Sequence, residues 1–77
     1  MNTNELKNMI NDIGLKVEED KPNVFKGHSC NVRSWAIFRV WLNQSNKVTI
    51  KSHGVQKSFS ITNKDELKKE LKGFEII

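Results

Sequence analysis

The longest alternating stretch of the chain runs from Val32 to Leu42 and predicts a β-strand with two unlike faces. Side chains of a strand point to opposite faces with a period of two. One predicted face is mostly apolar and consists of Val32, Ser34, Ala36, Phe38, Val40 and Leu42. The other face holds both tryptophans and both arginines of the chain and consists of Arg33, Trp35, Ile37, Arg39 and Trp41. This second face is therefore either a binding platform or a second buried surface.

Two stretches repeat apolar residues every three or four positions and predict amphipathic helices. The first helix runs from Asn2 to Ile13, and Gly14 follows it as a residue suited to the left-handed conformation. The second helix is capped by Thr62 or Asn63 and ends at Gly73. The apolar residues that define these helices are Leu6, Met9, Ile10 and Ile13 in the first and Leu67 and Leu71 in the second.

Further strands are predicted between the helices. Lys47 to Ser52 pairs with the long strand through the loop of residues 44–46, because this register keeps apolar side chains opposite one another. His53 and Gly54 then turn the chain into a strand from Val55 to Ile61. A short strand also begins at Val24 and ends at Gly27, whereas the alternation that starts at Leu15 stops in the carboxylates of residues 18–20.

Both helical stripes need the same face of this sheet, which predicts a two-layer α+β fold. The predicted order is an N-terminal helix, a three- or four-stranded antiparallel sheet and a C-terminal helix, an α-β-β-β-α arrangement. The other sheet face is then left for solvent or a partner. At 77 residues the sequence is expected to form a single small domain spanning residues 1–77.

Composition and the lengths of apolar runs bear on disulfide bonding and on the cellular location of the protein. Cys30 is the only cysteine, so no disulfide within the chain is expected. The first residues lack the basic and apolar blocks of a signal peptide, and no apolar run approaches the roughly 20 residues of a membrane span. A soluble, cytoplasmic protein without membrane association is expected.

Charge is distributed unevenly along the chain. From Lys21 to Lys64 there are eight Lys or Arg residues and no Asp or Glu, whereas both ends of the sequence are net acidic. Such a segment predicts a positive field over the sheet, which favours a polyanionic partner. The alternative is a compositional bias toward lysine and asparagine without functional meaning.

Aromatic rings flanked by cations on an antiparallel sheet are typical of surfaces that bind single-stranded nucleic acid, because bases stack on the rings while cations contact the backbone. The sequence therefore predicts a non-enzymatic nucleic-acid-binding module. The predicted binding residues are Arg33, Trp35, Ile37, Arg39, Trp41, Lys47, Thr49, Lys51 and Ser58.

The same Trp and Arg residues would also serve a protein-interaction module, such as an inhibitor or adaptor encoded by a phage or mobile element, since these residue types dominate protein interfaces. A second copy of the chain, giving a homodimer, is one such partner. The remaining alternative is that a loop of the same chain covers the tryptophans.

A third function, ribonuclease catalysis, depends on His28. The element order resembles the small toxin ribonucleases, which carry a strand histidine near Gly-Ser-His, and residues 27–29 read Gly-His-Ser. The order also resembles the double-stranded-RNA-binding domain, but residues 63–66 lack the lysine cluster of that family. His28, Cys30 and His53 are too few for a typical zinc site, so no metal or cofactor is expected. Cys30 is expected to be a small buried thiol.

Overall fold

The computed structural model describes residues 1–31, 33 and 35–77. The chain forms an N-terminal helix, five antiparallel strands and a C-terminal helix. The elements are α1 (Thr3–Ile13), β1 (Glu18–Lys21), β2 (Val24–His28), β3 (Ile37–Leu42), β4 (Val48–Ser52), β5 (Val55–Phe59) and α2 (Lys64–Gly73). The predicted α+β class and the helix–sheet–helix order are confirmed, but the sheet has five strands where three or four were predicted.

Both helices begin with an asparagine cap. Oδ1 of Asn2 accepts from the backbone N–H of Glu5 at 2.8 Å, and Oδ1 of Asn63 accepts from that of Glu66 at 2.9 Å. These bonds satisfy backbone donors that have no partner within the first helical turn. Gly14 follows α1 with φ of 105°, the left-handed conformation expected from the sequence.

The strands follow one another in sequence order across the sheet, so each is paired with its neighbours in the chain. The predicted β3–β4 register is confirmed, with Leu42 opposite Val48. Asn46 adopts a φ of 59° in the connecting loop. His53 and Gly54 have φ values of 55° and 74°, which suit the two-residue turn between β4 and β5.

The core lies between the two helices and one face of the sheet. Its buried side chains come from the two helices, the sheet and the residues that follow each helix. They are Leu6, Ile10, Leu15, Phe25, Phe38, Val40, Val48, Ile50, Leu67, Leu71 and Ile76. Ile76 is fully buried, and its carbonyl oxygen accepts from the backbone N–H of Cys30 at 2.8 Å. The apolar end of the sequence is therefore packed into the core. Within the described ranges, no helix has the length and apolar character needed to cross a membrane.

The strand predicted from Val32 begins only at Ile37. Val32 and Ser34, predicted to lie on its apolar face, fall outside the described residues. Oδ1 of Asn31 accepts from the backbone N–H of Arg33 at 2.9 Å, a local bond that competes with strand pairing. The strand therefore starts later than the alternation of the sequence suggested, although the backbone N–H of Ser29 still donates to the carbonyl oxygen of Ala36 at 2.8 Å just before it.

β1 is the strand that the sequence did not predict, because its residues Glu18–Lys21 are all charged and exposed. It lies at the edge of the sheet and pairs with β2 on one side. Charged side chains suit such a position, since an edge strand needs no second apolar face and charge discourages pairing with other molecules. The apolar–polar alternation that starts at Leu15 does stop at residue 18, but the chain continues there as an edge strand.

Candidate functional site

The sheet face opposite the two helices, which we call the outer face, carries three basic side chains in one row across the strands. Lys26 of β2 lies directly opposite Arg39 of β3, and Arg39 lies directly opposite Lys51 of β4. Adjacent strands are about 4.8 Å apart, so these three cations, called the basic row below, stand side by side. Like charges placed opposite one another destabilise a sheet, so the basic row needs an anion nearby.

Trp41 lies on one side of the basic row. It is half-buried and stands between Val24 and Thr49 in the next row of the outer face. A shallow depression of about 280 Å³ joins the Trp41 ring to Arg39 and Lys51, and Lys21 also lines it. An aromatic ring and three cations therefore border one concave area of the outer face.

Trp35 lies on the other side of the basic row, although it is not part of β3. Its side chain is 68% exposed, and its ring stacks on that of His28 with the centroids 6.1 Å apart and the planes at 22°. Together with Ile37 and Lys26, this pair lines a second groove of about 330 Å³. Since Lys26 belongs to the basic row, the two tryptophans flank that row from opposite sides.

Two carboxylates of β1 border the basic row. Oδ2 of Asp20 lies 3.2 Å from Nε of Arg39, and Glu18 is opposite Lys26 in the β1–β2 register. The sequence predicted a positive field from the absence of carboxylates between residues 21 and 64. The fold adds two acidic residues to this surface, because β1 brings them from outside that segment to the edge of the outer face.

The structure brings some of the predicted binding residues together and separates others. Ile37, Arg39, Trp41 and Lys51 share the outer face with Trp35 beside them. Arg33 lies in the turn after Asn31 rather than on the strand, so its predicted place on the long strand is wrong.

The hydroxyl groups of the outer face bond to each other. Thr49 is only 1% exposed, and its Oγ1 lies 2.9 Å from Oγ of Ser58. Nδ2 of Asn43 donates to the same Ser58 oxygen at 3.4 Å. Lys47 is exposed beyond this group, where its backbone N–H donates to Oδ1 of Asn43 at 3.0 Å. Thr49 is therefore a structural residue in this state, whereas Lys47 is accessible from solvent.

Sequence reasoning missed Lys26 and Lys21 as members of this surface. The sequence does indicate that Lys26 lies on the same face of β2 as Val24, because the two residues are two positions apart. That Arg39 is its neighbour follows only from the pairing of β2 with β3. Lys21 reaches the outer face because the register of β1 shifts between Glu19 and Lys21. The pairing of β2 with β3 and the shift in β1 have no signal in the local sequence, unlike the β3–β4 register.

The candidate catalytic and metal-binding residues are also placed. His28 ends β2, and Glu18 lines the same groove. Cys30 is exposed, so the expectation of a buried thiol is wrong. In the part of the chain that the structure describes, no group of three or more His, Cys, Asp or Glu residues is arranged to hold a metal ion.

Comparison with known proteins adds no relative. No family model, curated protein or solved structure matches this chain. What the protein binds must therefore be inferred from the residues of the outer face.

Proposed function

We propose that this protein is a non-enzymatic nucleic-acid-binding module that holds a single strand on the outer face. The observation that carries the proposal is the basic row, in which Lys26, Arg39 and Lys51 stand directly opposite one another on three neighbouring strands. A row of like charges destabilises the free sheet, and a chain of phosphates would neutralise it.

The tryptophans suit the bases of the same ligand. Successive rows on one face of a strand are about 6.6 Å apart, so the Trp41 row lies one such step from the basic row. Trp35 offers a largely exposed ring on the opposite side of the basic row. Phosphates over the basic row would therefore leave neighbouring bases within reach of both rings. Unpaired bases can stack in this way, whereas the bases of a duplex are already stacked on each other.

Fluorescence polarisation with labelled single- and double-stranded oligonucleotides tests the proposal. Trp35→Ala should weaken single-strand binding by about 1–3 kcal/mol while leaving its salt dependence nearly unchanged. Lys51→Gln should instead make the fall of log affinity with log salt concentration less steep, by about 0.7 in the magnitude of the slope. Lys68→Gln is the matched control, because it removes the same charge from the exposed side of α2. Equal losses in Lys51→Gln and Lys68→Gln would contradict a specific contact at the outer face.

A protein partner is the second candidate, and one observation favours it. Trp35 and Ile37 are exposed apolar side chains at 68% and 45%, and the nearby basic row is bordered by carboxylates of β1. Apolar groups among charges of both signs are common at protein interfaces. In that case oligonucleotide binding is weak and disappears at moderate salt, while Trp35→Ala affects binding only to the protein partner. If the partner is a second copy of the chain, sedimentation detects a dimer that this variant dissociates.

A further inference from the structure

The ion pair between Asp20 and Arg39 joins the edge strand β1 to the central strand β3 on the outer face. Oδ2 of Asp20 lies 3.2 Å from Nε of Arg39, and Arg39 is the middle cation of the basic row. The pair is partly open to solvent, with side-chain exposures of 29% for Asp20 and 40% for Arg39. The carboxylate therefore occupies the position where an anionic ligand would meet the row.

Asp20 lies at a distortion of β1. Glu19 is opposite Phe25 and Lys21 is opposite Val24, so Asp20 is an extra residue between two regular pairs. Such bulges redirect a side chain relative to regular pairing. Period-two alternation from Glu18 already puts Asp20 on the outer face, and the shift turns Lys21 to the same face, so two successive residues of β1 border the outer face at this point.

We propose that Asp20 is a specificity-determining residue that substitutes for a ligand phosphate in the free protein and competes with it for Arg39. The inference rests on the proposed function, because it names the group that a nucleic-acid phosphate displaces. In the free protein Asp20 relieves repulsion between Arg39 and its two basic neighbours. Upon binding, the phosphate takes over this role.

The geometry favours competition over permanent support. Asp20 contacts Arg39 through Nε, and a partly exposed ion pair of this kind is weak enough to exchange. A phosphodiester lying across the basic row would neutralise several cations, which one carboxylate at the edge does not. The carboxylate therefore reduces the binding free energy that a phosphate gains at Arg39, and ligands with little negative charge do not displace it.

Asp20→Asn provides the test, because it removes the charge while retaining size and an acceptor oxygen. Asp12→Asn is the matched control, since Asp12 is an exposed carboxylate of α1 on the opposite side of the sheet. Each variant is titrated with a single-stranded oligonucleotide over a series of salt concentrations. Asp20→Ala is included so that a folding defect of one variant does not decide the result.

We expect both Asp20 variants to bind the oligonucleotide about two- to fivefold more tightly at low salt, the range that corresponds to an exposed ion pair. Their affinity should also fall more steeply with salt, and Asp12→Asn should match the original protein in both respects. In the absence of oligonucleotide the Asp20 variants should unfold at a lower temperature, because the basic row has lost its carboxylate. Tighter oligonucleotide binding together with a lower unfolding temperature is the result expected if Asp20 competes with the ligand for Arg39.

The inference is overturned if the original protein binds and the Asp20 variants bind equally well or more weakly, in which case Asp20 supports Arg39 rather than competing with a ligand. The proposed function survives that result. If neither the original protein nor the Asp20 variants bind, the proposed function fails and the inference fails with it.

Discussion

The basic row makes a prediction about stability that needs no ligand. Lys51 lies directly opposite Arg39 on one side and Gln56 on the other. Replacing Lys51 by glutamine removes one of the opposed cations while retaining a long polar side chain in the strand. We therefore expect Lys51→Gln to raise the free energy of unfolding of the free protein at low salt.

The size of this effect follows from the pair geometry. Directly opposed charged side chains on neighbouring strands contribute about 0.2–1 kcal/mol. For a chain of this length, 1 kcal/mol corresponds to about 4–8 °C in the unfolding temperature, so the expected gain is about 1–8 °C. Salt should remove the gain, because the screening length falls from about 10 Å at 0.1 M to about 3 Å at 1 M.

Thermal unfolding followed by circular dichroism at low and high salt measures both quantities. Lys68→Gln serves as the control, because Lys68 is exposed on α2 away from the basic row. Its unfolding temperature should change little at either salt concentration. A loss of stability in Lys51→Gln, or a gain that persists in 1 M salt, would refute the argument that these cations repel one another in the free protein.

Three further predictions concern a close backbone approach in β2, the start of α2 and the absence of ribonuclease activity. Gly27→Ala should lower the free energy of unfolding by about 1–3 kcal/mol in urea denaturation, because the added carbon would stand 2.6 Å from the carbonyl oxygen of Lys16. Unchanged stability would mean that the backbone can move apart at this close approach. Hydrogen bonds from the hydroxyl group and, to a smaller extent, the backbone N–H of Thr62 lower the pKa of Glu66 from its ordinary value of 4.5. The free energy of unfolding of the original protein should therefore exceed that of Thr62→Val by its full amount above pH 4.5, and the difference should fade as the pH falls through the folded-state pKa of Glu66. A difference that grows in acid would contradict this. Purified protein should leave single-stranded and structured RNA intact on denaturing gels, with or without divalent metal, and cleavage that disappears in His28→Ala would instead establish a ribonuclease.

Features with local signals could be predicted from the sequence. The helices follow from apolar spacing, and their starts follow from asparagine caps that need only the first turn for a partner. The β3–β4 register follows because a shift by one residue would move Val40 and Ile50 out of the core. Turn residues such as Asn46 tolerate the left-handed conformation that the loop requires.

Features that depend on pairing between distant segments could not be predicted. β1 has no alternation of apolar and polar residues, so its strand conformation comes from hydrogen bonds with β2. The contact of Asp20 with Arg39 joins residues 19 positions apart and depends on the place of β1 beside β2 at the edge of the sheet. The most informative charge contact of the candidate site was therefore absent from the sequence argument.

Local hydrogen bonds also misled the alternation argument. The pattern from Val32 to Leu42 is continuous, yet the Asn31 side chain accepts from the backbone N–H of Arg33 and the strand itself begins at Ile37. Alternation correctly placed Thr49 on the outer face, but it carried no information on the neighbouring side chains that bury it. Position on a face and access from solvent are separate properties.

The central claim is that the outer face holds a single-stranded nucleic acid, and a nuclear magnetic resonance titration tests it most directly. The chain has two tryptophans, so two indole N–H signals report on the two sides of the basic row. On addition of a single-stranded oligonucleotide we expect both indole signals and the backbone signals of Lys26, Arg39 and Lys51 to shift together, while those on the exposed sides of the helices stay in place. Unchanged signals at a saturating oligonucleotide concentration, or shifts confined to the helices, would contradict the claim.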